Sequence, residues 1–288
     1  MKTIIGIIIV FGSVCGGYMM AGGHFGVLWQ PAEFVIILGA ALGALVIANP
    51  PKVLKKLPKA IGSAIKGSKL KKADYIELLC LQYQVFKLIK SKGILAIESH
   101  IENPHESTLF HEFPKFHHNH HAVEFLCDYL RMISLGSTNP YVMEDLMNLE
   151  LDVHHEEDHA YASAMQGMAD GMPALGIVAA VLGVIHTMGF ITEPPAILGK
   201  LIGAALVGTF FGVLVSYGLF APLANGIAAA KAADSKYNAC LKTGILAYLQ
   251  GSAPSICAEF ARKSLTSDVR PSFKEVEEAI EKLPSIIK

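Results

Sequence analysis

Four long apolar stretches divide the chain, and each approaches the length that a helix needs to cross a membrane. A hydrocarbon core about 30 Å thick requires about 20 residues of helix. The second stretch is the shortest, but the preceding "QPAEF" allows its helix to start in the headgroup region, with Pro31 in the first turn. The pattern predicts four transmembrane helices, at residues 3–21, 34–48, 172–192 and 201–223.

The polar segments between and after these stretches are too long to be simple loops. Apolar side chains recur with helical spacing in 74–90, 122–135 and 141–159, and "STNP" is a plausible break between the last two. No strand-like alternation of useful length is present. The predicted fold is an all-α integral membrane protein with four transmembrane helices and a large helical cytoplasmic domain. The expected divisions are 1–49 and 172–223 for the two pairs of spans, and 50–171 and 224–288 for the cytoplasmic parts.

Composition and charge support a membrane protein and predict its orientation. The chain has 288 residues, of which 52% are hydrophobic and 17% charged, and its net charge of -1 argues against nucleic acid as a partner. The segment 50–72 after the second span carries eight lysines, whereas 21–33 carries none. Because lysine-rich flanks stay in the cytoplasm, both termini and the long middle segment are expected there.

The four apolar stretches contain no charged side chain, and this limits what the chain can do alone. An ion carrier normally needs an acidic or basic group within the membrane to bind and release its ion. Since this chain is expected to have no membrane carboxylate of its own, any ion that it passes requires an acid from another subunit.

No enzymatic motif is present, and the candidate metal ligands form no recognised pattern. There is no phosphate loop, HExxH, GxSxG or dinucleotide fingerprint, so neither an enzyme nor a cofactor is expected. The five scattered cysteines have no CxxC spacing and are interpreted as reduced packing residues. A zinc site needs convergent ligands, and no spacing enforces convergence here, so no metal centre is predicted. A membrane-anchored metal sensor or scaffold stays open as an alternative because of the histidines at 117, 118, 120, 121, 154, 155 and 159.

Several ordered segments carry a resemblance to a known family. "QPAEFVIILGA", "MPALGIVAAVLGVIHTMG", "LIGAALVGTFFGVLVSYGLFAPLA" and "RPSFKEVEE" resemble the MotA family, the A subunits of bacterial flagellar stators. The resemblance extends over nearly the whole chain. It implies a subunit of the inner membrane that conducts protons together with MotB and turns the flow into torque on the rotor protein FliG. It also implies five copies around two copies of MotB, whose single span carries the ion-binding aspartate.

The same resemblance assigns roles to individual residues. Pro173 and Pro222 match two functional prolines of the family and are expected to form a hinge. Lys90 and Glu98 match a charged pair that faces FliG. Glu150 and Asp170 match further acidic positions of the family, and Glu150 is expected to contribute to the rotor contact. Lys90 stands where relatives have arginine, so the charge is kept but a bidentate contact is lost.

The expected ion pathway contains Ala180, Thr209 and Tyr217. Thr209 matches the threonine near the partner's aspartate, and Tyr217 is a polar group of the same span. Ala180 stands where sodium-driven relatives have threonine, and a methyl group offers no oxygen ligand to a hard cation. This favours protons. An energy transducer of the ExbB or TolQ kind is the main alternative, although those relatives typically have three spans.

Overall fold

The computed structural model describes residues 2–67 and 70–284, and the regular structure of these residues is entirely helical. In chain order the elements are α1 (Lys2–Met20), α2 (Phe25–Leu28), α3 (Pro31–Ala48), α4 (Pro51–Lys66), α5 (Lys72–Lys92), a 3₁₀ turn (Ile94–Ile97), α6 (Glu98–Glu102), α7 (Thr108–His111), α8 (Pro114–His117), α9 (His120–Ser134), α10 (Pro140–Met188), α11 (Pro195–Val215), a π-turn (Ser216–Phe220), α12 (Ala221–Leu249), α13 (Pro254–Lys263) and α14 (Phe273–Glu281).

These elements form two compact units. The membrane unit comprises the described residues of 1–68 and 157–231, and the second unit those of 69–156 and 232–288. Four helical segments are long and apolar enough to cross a membrane. The prediction of an all-α membrane protein with four spanning helices is therefore confirmed. The segments are Lys2–Met20, Phe25–Ala48, Pro140–Met188 and Pro195–Leu249.

The start of α3 overturns one expectation from the sequence. The helix α3 begins at Pro31, three residues before the apolar stretch 34–48, which confirms that Pro31 lies in the first turn, where its missing N–H is not needed. Glu33 is consequently a residue of this helix, and its side chain is buried. The prediction that the four spans contain no charged side chain is wrong.

The third and fourth spans are also longer than their apolar stretches. The helix expected at 141–159 and the third span are one continuous helix, α10, while the fourth span continues through the π-turn directly into α12. Polar and apolar patterns share the helical period, so a change in composition does not end a helix. The predicted break at "STNP" is confirmed, since α9 ends at Ser134 and α10 begins at Pro140.

Small and flexible apolar side chains form the core of the membrane unit. The helix α4 is amphipathic and buries Leu57, Ala60 and Ala64 while its lysines stay at the surface. The hydroxyl of Thr3 on α1 donates to the carbonyl of Ala64 at 3.0 Å. Methionines of α10 complete this core, where Met adapts to irregular gaps. They are Met165, Met168 and Met172.

The core of the second unit surrounds α5, which is buried on most of its surface. The apolar residues of α5 share one core cluster with those of α9, α12 and α13. The ring of Phe86 stacks on that of Tyr248, with centroids 4.9 Å apart and planes 5° from parallel. A helix enclosed on nearly all sides explains why the pattern at 74–90 is apolar at more positions than one stripe requires.

A carboxylate organises the short helices beside this core. Glu77 of α5 accepts the backbone N–H groups of Lys115 at 2.7 Å and Phe116 at 3.1 Å, in the first turn of α8. Burial raises the pKa of the Glu77 carboxyl, and the two N–H donors oppose that rise. The side chain therefore supplies an acceptor to donors that have no partner within their own helix.

Replacing Glu77 should weaken the second unit. In Glu77→Ala both N–H groups lose their acceptor, and we expect the free energy of unfolding to fall by about 1–3 kcal/mol. The measurement is the denaturation midpoint of the detergent-solubilised chain, followed by circular dichroism. Glu124→Ala, an exposed carboxylate on α9, is the control and should leave the midpoint unchanged. Equal midpoints for the two variants would contradict the role given to Glu77.

Candidate functional site

The helices α10 and α11 touch backbone to backbone in the membrane unit. A β-carbon on Gly212 would lie 2.7 Å from the carbonyl oxygen of Met172, and one on Gly176 would lie 2.8 Å from that of Gly208. Real β-carbons do not approach other atoms so closely, so only glycine fits at these positions. Such small-residue contacts are the usual means by which helices associate in a membrane, where side-chain hydrophobicity gives no net attraction.

This close contact brings together two of the three predicted pathway residues. The hydroxyl of Thr209 on α11 donates to the carbonyl of Gly176 on α10 at 3.4 Å. On the facing turn, a β-carbon on Gly208 would lie 3.3 Å from the backbone nitrogen of Ala180. Tyr217 does not join them: it belongs to the π-turn, and its side chain is 66% exposed.

The same place holds a carboxyl group that the sequence reasoning missed. Glu33 of α3 lies against Gly183 and Gly208, where Gly208 faces the backbone of Ala180. The available signal was the acidic residue of "QPAEF", which follows Pro31 directly and therefore falls in the first turn of a spanning helix. Starting the span at residue 34 placed this acid outside the membrane.

Neither of the two predicted hinge prolines ends a helix. Pro173 lies inside α10, where it cannot donate a backbone hydrogen bond to the carbonyl of Ala169 four residues earlier. The hydroxyl of Ser216 donates to that carbonyl at 2.7 Å instead, and both residues are buried. A side chain of the neighbouring helix thus replaces the donor that proline removes.

Ser216 also connects the two prolines. It is the first residue of the π-turn, and its own carbonyl accepts the N–H of Ala221, five residues later. Pro222 follows as the second residue of α12. The irregular turns at Pro173 and before Pro222 are therefore joined by one side-chain hydrogen bond. Nothing in the sequence pattern pairs position 216 with position 169.

The residues expected to face the rotor all belong to the second unit. Lys90 is exposed in the last turn of α5, in a shallow depression with Tyr83 and Lys87, and Glu98 is exposed at the start of α6. Glu150 lines a separate depression, where its Oε2 accepts the hydroxyl of Tyr129 at 2.7 Å. Burial and this carboxylate raise the pKa of Tyr129. Asp170, in contrast, belongs to the membrane unit, is exposed, and accepts a hydrogen bond from Gln166 at 2.7 Å.

The histidine-rich segment forms a chain of neighbouring rings. The rings of His111 and His117 are 4.5 Å apart between centroids, and those of His105 and His120 are 5.5 Å apart. Burial and the four surrounding imidazoles lower the pKa of His117. Within the described parts of the chain, no three His, Cys, Asp or Glu side chains form a group that could hold a metal ion.

Comparison with known proteins assigns the family. Residues 4–93 match the family described as motility protein A N-terminal, and residues 117–236 match the MotA/TolQ/ExbB proton channel family. The chain is 42% identical to motility protein A of Salmonella typhimurium over 280 residues, which cover 97% of this chain and 95% of the relative. The chain belongs to the motility protein A family. The relative from Escherichia coli has the same identity and coverage.

Solved structures of relatives agree with this assignment. The chain of C. jejuni MotAB has the same fold, with a TM-score of 0.78 at 22% identity, over 94% of this chain and 98% of that one. The flagellar MotAB stator complex of Bacillus subtilis gives 0.75 at 27% identity and the same coverage. The chain is a stator subunit of the flagellar motor and an inner-membrane protein of a proton channel family, not an enzyme. Near full-length matches to motility proteins favour this function over the ExbB or TolQ alternative.

The hydrogen bond between Ser216 and Ala169 can be tested by a double-mutant cycle. Ser216→Ala leaves a buried carbonyl unsatisfied and should lower the free energy of unfolding by about 1–3 kcal/mol. Pro173→Ala restores a backbone N–H for that carbonyl, so Ser216→Ala should cost much less in its background. The measurement is the unfolding midpoint of the purified chain in detergent.

Thr187→Ala is the matched control for this cycle. Its hydroxyl donates to the carbonyl of Gly183 at 2.8 Å, within one regular turn of α10, where the backbone N–H of Thr187 also reaches that carbonyl. Its cost should be the same with and without Pro173→Ala. Equal costs of Ser216→Ala in both backgrounds would refute the compensation.

Proposed function

We propose that the chain assembles with MotB, as five copies around two, and conducts protons that drive rotation against FliG. The observation that carries the proposal is the glycine contact of α10 and α11, which holds Ala180 and Thr209 together inside the membrane unit. The two similar structures are those of MotAB complexes, which supports MotB as the partner. The copy numbers and the rotor protein follow from the family resemblance.

The proposed orientation places both termini and the second unit in the cytoplasm. Lysines of α4, which follow the second span, remain at the surface, where Lys52 pairs with Glu157 at 2.5 Å. A second ion pair joins Lys231 to Asp158 at 2.8 Å. A flank rich in lysine supports a cytoplasmic position for this edge of the membrane unit.

We propose that the conducted ion is H⁺. A sodium ion requires several oxygen ligands, and Ala180 contributes only a methyl group at the position where sodium-driven relatives have threonine. The hydroxyl hydrogen of Thr209 points to the carbonyl of Gly176. The oxygen of this hydroxyl can accept a hydrogen bond from water, and as a single ligand it does not complete the coordination shell of a metal ion.

The proposed power stroke begins when the partner's aspartate gains or loses a proton. This charge change alters the preferred packing of the surrounding helices, and the protein shifts between two arrangements. Pro173 and Pro222 are the proposed hinge because the backbone hydrogen bonds are already irregular beside them. The side-chain bond of Ser216 can break and re-form without breaking a helical hydrogen bond. Lys90, Glu98 and Glu150 are the proposed contacts with the rotor.

Reversing the charges of the proposed rotor contact should stop rotation without affecting assembly. Complementary charges orient partners at an interface, so Lys90→Glu and Glu98→Lys should each lower swimming speed at least severalfold while the amount of membrane-bound stator stays constant. The measurements are tracking of swimming cells and immunoblotting of membranes. Lys274→Glu, which affects an exposed lysine of α14, is the control. Normal speed in both reversed variants would exclude the contact.

The proposed ion can be tested by changing the driving force. Cells that depend on this chain for motility should stop when a protonophore is added, and their speed should not depend on external sodium. Ala180→Thr adds one oxygen and should not by itself create a sodium requirement, because one ligand does not make a coordination shell. Swimming speed is measured across sodium concentrations with and without the protonophore. Speed that follows sodium and ignores the protonophore would overturn the proposal.

A further inference from the structure

Glu33 is an acidic side chain buried inside the membrane unit. It lies in the first turn of α3 and is only 8% exposed, and its Oε2 has no hydrogen-bond partner among the described residues. An ionised carboxylate in such surroundings is strongly disfavoured, whereas a neutral carboxyl group with a bound proton is much less costly. Acidic groups inside a membrane protein are for this reason commonly proton-binding sites.

Two glycines leave the space in which this carboxyl group lies. A β-carbon on Gly208 would lie 2.5 Å from Oε2, and one on Gly183 would lie 3.2 Å from Oε1. Glycines on two different helices therefore make the space in which the carboxyl group lies. Ala205 closes the slot beside Gly183, since a β-carbon there would lie 2.7 Å from that of Ala205.

No described side chain neutralises the carboxylate. The helix α2 has no titratable residue, and His186 on α10 and Lys200 on α11 are exposed and share no ion pair or hydrogen bond with Glu33 among the described residues. A structural acid would be expected to have a cationic or hydrogen-bonded partner. A proton is the simplest group that can remove the charge of Glu33.

We propose that Glu33 is a proton-binding station of the conducting path, in series with the partner's aspartate. The inference rests on the proposed function and adds a residue of this chain to it. Glu33 is the last residue of the connection 21–33, which the proposed orientation places outside, and its carboxyl group lies against Gly208, which neighbours Ala180 and Thr209. Its position fits a group that takes protons from the external side and passes them inward.

The transfer step is balanced and needs no other reactant. A proton that arrives through water forms an O–H bond with an electron pair of Oε2, which neutralises the carboxylate. When this O–H bond breaks, the electron pair returns to Oε2 and the proton moves through water toward the partner's aspartate. The carboxylate is then ready for the next proton.

Two substitutions separate proton binding from packing. Glu33→Gln keeps the size and polarity of the neutral carboxyl group but cannot carry a proton, whereas Glu33→Asp keeps the carboxyl group in a shorter side chain. In cells with the full stator complex, we expect Glu33→Gln to reduce swimming speed by about tenfold or more. Glu33→Asp should retain most of the speed, with an altered dependence on external pH. Glu193→Gln, an exposed acid between α10 and α11, is the control and should swim normally.

The outcomes decide the inference separately from the proposed function. Normal speed of Glu33→Gln, or equal impairment of the Gln and Asp variants at normal membrane levels, would overturn the proton-binding role. If Glu33→Gln does not accumulate in the membrane, swimming speed is compared between the wild type and Glu33→Asp across external pH. Different pH profiles support the proton-binding role, and identical profiles refute it. The protonophore response of the wild type tests the proposed function itself, whatever the variants do.

Discussion

Direct contact between the backbones of α10 and α11 is the constraint on which the layout of the membrane unit depends. With no side chain between Gly176 and Gly212, the two helices are held at the shortest distance that their backbones allow. Apolar side chains are as stable in lipid as in the protein interior. Close packing of this kind must therefore supply much of the energy of helix association. Residues one turn away on either side therefore have defined neighbours. Ala180 and Thr209 are among them, and Glu33 of α3 packs against Gly183 and Gly208 of the same two helices.

The same close contact of α10 and α11 allows α10 to contain an interior proline. A buried carbonyl that has lost its helical donor lowers the stability of the protein. Where water is absent, another protein group must donate a hydrogen bond to it. Ser216 can do so because α11 and the π-turn pass directly beside Ala169. The irregular geometry of both helices is thus located at one place, while the helices on either side remain regular. This arrangement is expected of a hinge, in which bending is confined to one place, rather than of helices that bend along their whole length.

The sequence was sufficient for the fold class and for the number of spans, because apolar length and composition are what a membrane selects. It failed at boundaries. Glu33 was not counted in the second span because an apolar window excludes an acid, although a helix with Pro31 in its first turn contains this residue. The continuity of α10 was missed because a change from polar to apolar residues at 172 was interpreted as an element boundary.

The candidate site was predictable only in part. Ala180 and Thr209 were identified through the family resemblance and both lie at the contact of α10 with α11, whereas the side chain of Tyr217 is exposed. Ser216 and Ala169 are 47 positions apart in sequence. Their contact depends on how their two helices are aligned along their axes. Periodicity within each helix contains no information about that alignment.

The glycine at position 208 has a consequence for how this family member can vary. A methyl group at 208 would lie only 2.5 Å from Oε2 of Glu33, closer than real contacts allow. A larger residue at 208 therefore requires the side chain at 33 to move or to be shorter. The two positions are far apart in the chain but coupled in their effects. A change at one alters which substitutions are neutral at the other.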